Sequence, residues 1–389
     1  MMKVVISGIG TISAAGLNLK ESLSSMKNGK RNAGPVSLFP NVLPYPVFEV
    51  KHLYEKAGME GLRTFCLAAA AADEAFKDAG LLLPLSSNIK AGVCLGTTVA
   101  SQLNDIEFYS AFKKYGNVDL KPVDRYLRGN ISEALAYQIK ATGPSVTVVN
   151  ACSSGTDAIG IALSWLRSGD CDMVIAGGAD ELNRVPLCGF GSLGILSNFL
   201  CAPFDKDRTG LNLGEGAGIL ILEREEFYIK RGKTPLLYLS GYGSAADSYH
   251  LTAPHPEGKG LESAIKKALS DSMISPDDVC FVNAHGTGTF DNDKVESTVL
   301  SRVFGENVRY FSTKGYTGHT LGGAGGIEAV FSAAALKHGW IPASAGFVSK
   351  GDEIPVSPVT ANTGISGSYA VSTSLAFGGN NAVIVMEKA

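Results

Sequence analysis

Short runs of apolar residues recur along this chain, and they lack the polar alternation of strands with one wet face. They are Lys3–Ser7, Ala91–Leu95, Ser145–Val149, Met173–Ala176, Gly218–Glu223, Leu236–Gly241, Val279–Asn283, Tyr310–Ser312, Tyr369–Leu375 and Asn381–Glu387. Continuous rather than alternating hydrophobicity requires sheets covered on both faces. Helical patterns over Leu62–Ala79, Ser153–Arg167, Gly260–Asp271 and Gly326–His338 supply that cover, with glycine-rich turns between them. The expected fold class is therefore α/β and layered. A chain of 389 residues is one large domain or two intimately packed halves.

Two of the runs end alike. Val148-Val149-Asn150-Ala151-Cys152 and Phe281-Val282-Asn283-Ala284-His285 each deliver a reactive side chain after Asn-Ala, which hints at two related halves. The charged cluster Glu225, Glu226, Lys230, Arg231 and Lys233 marks the junction and reads as a solvated helix end. The division expected is 1–228, carrying the cysteine, and 229–389, carrying two histidines.

Composition excludes several classes. A net charge of −3 gives no support to a nucleic-acid partner. No apolar run approaches the roughly 18–20 residues that span a bilayer. The apolar start, Val4-Val5-Ile6, is too short and too interrupted by Gly8 and Gly10 for a secretory signal, and reads as a buried strand. Seven cysteines, with no C-x-x-C, indicate reduced core thiols in a cytoplasmic protein rather than disulfides or a zinc site. Gly8-Ile9-Gly10 is an incomplete dinucleotide fingerprint, which disfavours a hydride-transfer enzyme. The histidines have no metal-ligand spacing, so neither metal nor cofactor is expected.

Chemistry concentrates at three places. Cys152 sits where a β-branched run ends and an apolar helix begins, and a helix N-terminus favours thiolate over thiol. Taken alone it is as readily one more buried cysteine. His285 opens His285-Gly286-Thr287-Gly288-Thr289, a turn suited to a narrow polar channel. His319 closes Ser312-Thr313-Lys314-Gly315-Tyr316-Thr317-Gly318-His319 ahead of four further glycines. Two histidines of six, each in a glycine/threonine turn beyond a buried strand, point to catalysis.

Together these segments resemble the condensing-enzyme family, specifically elongating β-ketoacyl-[acyl-carrier-protein] synthases of the thiolase superfamily. The resemblance runs from Ser7-Gly8-Ile9-Gly10 through Asn150-Ala151-Cys152-Ser153-Ser154-Gly155 and Pro203–Gly210 to Gly214–Gly218. It continues in the His285 turn, Asn292-Asp293-Lys294 with Glu296, the Lys314/His319 turn and Phe377-Gly378-Gly379-Asn380-Asn381. It implies a thiolase-like α-β-α-β-α fold built from two related halves. It also implies decarboxylative Claisen condensation of a malonyl thioester with an acyl chain held on Cys152. His285 and His319 match the histidines that bind the malonyl thioester carbonyl; Lys314 and Glu328 match an ion pair beside them. Asp293 and Glu296 match supporting acids, against the alternative that they are surface turn charges. Cys152 and Phe377 N–H groups match the oxyanion hole. Thr287 and Thr289 match pantetheine contacts, Phe377 a gate between the two substrates, and Val99 and Phe190 the acyl tunnel. The implied partner is an acyl carrier protein, and the implied assembly is a homodimer or a heterodimer with a related subunit. Lys206 and Arg208 are candidate carrier-protein contacts, against the alternative of an ordinary turn role.

Four positions depart from the pattern. Asn150 stands where Thr is common, Ala376 and Asn380 where Gly and Thr are usual, and Gly194 where many fatty-acid elongators carry a basic contact. These keep open a synthase of a specialised pathway, such as aryl polyene pigments, and a non-elongating partner subunit.

Overall fold

The computed structural model describes residues 2–40, 43–53, 61–98, 100, 106–128 and 130–389. In chain order the strands are β1 Val4–Ser13, β2 Ala91–Gly96, β3 Ser145–Val148, β4 Met173–Asp180, β5 Gly216–Arg224 and β6 Leu237–Ala246. They continue as β7 Val279–Asn283, β8 Tyr310–Phe311, β9 Trp340–Ile341, β10 Thr363–Gly364, β11 Tyr369–Ala376 and β12 Asn380–Lys388. β9 and β10 form a separate ribbon; the other ten form one sheet in the order β3-β2-β4-β5-β1-β6-β12-β11-β7-β8.

That order contains one pattern twice. Cut between β1 and β6, each half reads third, second, fourth, fifth, first strand. In each half the third, second and fourth strands run parallel, and the fifth is antiparallel to its neighbours. Only Val4↔Leu239 and Val5↔Tyr238 join the two five-stranded sheets.

The uninterrupted apolar runs have a direct cause in this layering. Along β5, Leu220 and Leu222 enter the central core, whereas Ala217, Ile219 and Ile221 enter an outer one against helix Arg63–Asp78. Along β12, Ile384 and Met386 face the centre, and Val383 and Val385 pack outward against helix Lys259–Ser272. Side chains alternate between faces, and both faces are dry. Helices Ser154–Arg167 and Ala324–His338 form the middle layer and pack on each other. The second is buried on all sides until Lys337, as a helix apolar all round must be. The backbones approach closely: a Cβ on Gly155 would meet Gly322 O at 2.8 Å and Gly326 N at 2.9 Å. The layers are thus α-β-α-β-α.

One expectation needs correction. The two Asn-Ala motifs are not equivalent positions of the repeat, because Cys152 follows the third strand of its half and His285 the second strand of the other. The partner of the Cys152 segment is the Lys314/His319 turn, which follows β8 and leads into helix Ala324–His338 as Cys152 leads into helix Ser154–Arg167. Cys188 is exposed rather than in the core. No helix among the described residues is long and apolar enough to cross a membrane.

Candidate active site

Cys152 is positioned by a tight turn. Ala151 adopts φ +50°, a left-handed conformation that a residue with a Cβ holds only when its surroundings impose it. Ser154 imposes it: its hydroxyl donates to Ala151 O at 2.6 Å and accepts from Asn150 N at 2.8 Å. The thiol is 5 % exposed, one residue before the N-cap of the middle-layer helix.

His319 comes from the other half. Its Nε2 lies 3.1 Å from Cys152 Sγ, and its ring meets that of His285 edge-on, with centroids 5.1 Å apart. Leu321 N–H donates to His319 Nδ1 at 3.3 Å, so the ring proton belongs on Nε2, facing the sulfur. Lys314 Nζ lies 3.1 Å from His285 Nδ1, which likewise leaves the proton of His285 on Nε2. Burial holds both imidazoles well below their usual pKa, and the neighbouring Lys314 charge adds to this. Both are therefore neutral N–H donors. Burial also pushes the Cys152 thiol up to about 12, against Lys314 and a hydrogen bond from Phe377 N–H. Desolvation thus opposes the ionisation that a helix N-terminus favours.

Lys314 is buried in an ion pair with Glu328 and also donates to His285 O. Burial pushes the Glu328 carboxyl up to about 7 against the pull of Lys314. Asp293 and Glu296 are fully buried on helix Phe290–Phe304, three residues apart and so on one face. Surface turn charges they are not. Glu296 accepts from His285 N and Gly286 N, both at 2.8 Å, and from the Thr373 hydroxyl at 2.7 Å. Asp293 accepts from Phe204 N at 2.7 Å and Gly288 N at 3.2 Å. Neither lines the cavity; they hold the backbone of the His285 turn.

A cavity of about 390 Å³ joins these elements. Cys152, His285, His319, Thr287, Thr289, Phe190 and Phe377 line it together. Thr287 and Thr289 hydroxyls pair at 2.8 Å, and the Phe190 and Phe377 rings stack at 5.4 Å. Val99 lies outside the described residues. Arg208 is buried, with Nη1 2.8 Å from Glu353 and its guanidinium over the Phe290 ring, so it is no surface contact; Lys206 is exposed. Sequence reasoning missed Asp180, which ends β4. It accepts from Thr97 and Thr98 hydroxyls and from Gly322 N at 2.7 Å, tying the first half to the glycine turn after His319. Its signal was a carboxyl group closing an apolar strand.

A buried thiol facing two neutral imidazoles across a duplicated α-β-α-β-α fold defines the class of the thiolase superfamily's condensing enzymes. The family model "Beta-ketoacyl synthase, N-terminal domain" matches residues 62–227, and "Beta-ketoacyl synthase, C-terminal domain" matches 237–348. The chain belongs to the β-ketoacyl synthase family. It is 32 % identical over 409 residues to 3-oxoacyl-[acyl-carrier-protein] synthase 2 of Staphylococcus aureus (strain MRSA252), covering 100 % of this chain and 98 % of that one. Among solved structures, the ishigamide ketosynthase/chain length factor superposes with a TM-score of 0.93 at 30 % identity, over 100 % of this chain and 99 % of that one. A ketosynthase in complex with its chain length factor from Xenorhabdus doucetiae gives 0.87 at 30 % identity, over 100 % and 98 %.

Proposed function

We propose that this chain is a β-ketoacyl-[acyl-carrier-protein] synthase that condenses malonyl-carrier protein with an acyl chain held on Cys152. The observation that carries this is the 3.1 Å approach of His319 Nε2 to Cys152 Sγ inside a cavity shared with His285.

Cys152 attacks the acyl thioester, and its proton leaves with the departing pantetheine thiol. Charge on the tetrahedral oxygen falls to the Cys152 and Phe377 N–H groups. A malonyl thioester then enters past Thr287 and Thr289, and its carbonyl oxygen meets the Nε2–H groups of His285 and His319. Loss of CO₂ leaves an enolate whose negative oxygen those two donors already face. Neutral donors suit this step, since they stabilise the charge without giving up a proton. The enolate carbon attacks the acyl-cysteine, the β-ketoacyl product leaves, and the Cys152 thiolate regains a proton. Lys314, Glu328, Asp293 and Glu296 keep the imidazoles in place, and Phe190 and Phe377 border the acyl chain.

The partner is an acyl carrier protein, and the working site is cytoplasmic. The unit boundary falls at 228/229, between β5 and β6. Apolar Val146 on edge strand β3 and Val149 just beyond it are exposed, and such an edge suits pairing with a second chain. A homodimer satisfies this. A second reading, a specialised-pathway ketosynthase or partner subunit in a heterodimer, is favoured by the likeness to two ketosynthases paired with chain length factors.

Intact-mass analysis of wild-type and Cys152→Ala protein with a panel of acyl-carrier proteins, then malonyl-carrier protein, tests the proposal. The expected result is an adduct on wild type only, discharged to a β-ketoacyl product. A folded protein that takes no acyl group from any donor would sink it and favour the partner-subunit reading.

A further inference from the structure

Three of the departures from the condensing-enzyme pattern meet at one place. Asn150 and Asn380 are 230 positions apart, yet Asn380 Nδ2 donates to Asn150 Oδ1 at 2.6 Å. The orientation of both amides is forced. Asn150 Nδ2 donates to Asp157 Oδ2 at 2.6 Å, an acceptor that also takes the Ser153 hydroxyl at 2.8 Å, while Tyr242 OH donates to Asp157 Oδ1 at 2.6 Å. With its amino group committed to Asp157, Asn150 offers only its carbonyl oxygen, and Asn380 must be the donor.

Asn150 belongs to the Cys152 turn, and Asn380 closes the hairpin that carries Phe377. Ala376 and Asn380 are cross-strand partners at the ends of that hairpin, and Gly379 N donates to Ala376 O at 3.1 Å. Alanine at 376 has fewer backbone conformations than the usual glycine, so an opened loop gains less entropy. Phe377 closes the assembly, with its N–H on Cys152 Sγ and its ring on Phe190. Each substitution therefore acts in the same direction.

We propose that the Asn150–Asn380 bond is a latch that holds the Phe377 loop shut over Cys152, and that both asparagines are positioning residues which set how readily the thiol is uncovered. Asn380 swings out with the loop, while Asn150 stays anchored to Asp157. The consequence for chemistry rests on the proposed function: a long or bulky acyl donor, which must displace the loop further, is disfavoured relative to a short one.

Site-resolved alkylation by iodoacetamide reads the latch without any acyl substrate. Asn380→Ala is expected to speed alkylation of Cys152 by roughly fivefold, the weight of one net hydrogen bond. Asn380→Asp turns the donor into an acceptor facing Asn150 Oδ1 and should speed it more. Exposed Cys188 serves as the internal reference and keeps its rate. The Asn150→Ala/Asn380→Ala double variant should react no faster than the quicker single variant, since one bond is lost in each. Unchanged Cys152 rates in both Asn380 variants, or multiplying single effects, would each overturn the latch. Should Asn150→Ala fail to fold, the two Asn380 variants decide alone. With acyl-carrier proteins of two, eight and fourteen carbons, Asn380→Ala should gain on the longest donor and stay within twofold on the shortest. A uniform change across the series would also count against it. Wild type refusing every donor would defeat the proposed function and leave the alkylation result standing.

Discussion

In the first half, β3 runs into Cys152 and then into helix Ser154–Arg167; in the second, β8 runs into the Lys314/His319 turn and then into helix Ala324–His338. The two segments occupy the same place in the same topology and carry opposite chemistry. One presents a buried thiol, the other an imidazole and a buried cation. Because the two helices pack as a shared middle layer, their N-terminal turns converge, and the cavity forms at the junction of the halves. The surroundings differ too. β3 lies at an open, half-buried edge, whereas β8 is fully buried. A duplicated fold thus supplies two equivalent positions for a site, and divergence assigns them different tasks.

The largest expected effect tests that division of labour. Cys152→Ala should abolish the acyl adduct while malonyl decarboxylation persists. His285→Ala and His319→Ala should each cut decarboxylation by roughly 100–1,000-fold with adduct formation still detectable. Intact mass and CO₂ release separate the two activities, and loss of both in every variant would break the comparison.

Next comes Lys314→Ala, which leaves Glu328 buried without its cation. Urea unfolding should show a loss of about 3–5 kcal/mol, recovered in large part by an apolar pair, Lys314→Met with Glu328→Leu. Failure of the pair to recover stability would mean that Lys314 holds the turn chiefly through His285.

Gly155→Ala probes the contact between the two middle helices. A methyl group there meets backbone of the other half, so a loss of about 1–3 kcal/mol is expected, again by urea unfolding. An unchanged midpoint would show that the halves can part slightly at no cost.

The smallest effect is in pH. His285 and His319 bind protons more weakly folded than unfolded, so their contribution is complete above about 6.5 and is lost as pH falls below it. Glu328, pushed up to about 7 from 4.5, binds protons more readily folded and opposes this between those values. Glu328→Gln should therefore steepen the acid-side decline; a shallower one would reverse the assignment.

Much of this was legible beforehand. Each apolar run corresponds to one of the ten strands of the sheet, and for all but the half-buried edge strand β3 burial on both faces writes the continuous signal. The four strongly patterned helices were equally plain. Helix Phe290–Phe304 was not, because Asp291, Asn292, Asp293 and Glu296 read as a polar turn. Asp293 and Glu296 are buried against backbone N–H groups of Phe204 and of the His285 turn, partners that come from earlier loops. The thiol's setting was half legible for a related reason: a helix N-terminus is visible in sequence, but the desolvation that opposes it is not.

By itself the sequence determined the class of fold and nominated the residues of the candidate site, because strand periodicity and short glycine-framed turns are local properties of the chain. Only the tertiary structure decided how the halves correspond, how deeply Cys152, His285 and His319 are desolvated, and that Asn150 meets Asn380. These depend on burial and on contacts between residues far apart in the chain, and neither is written in any one segment.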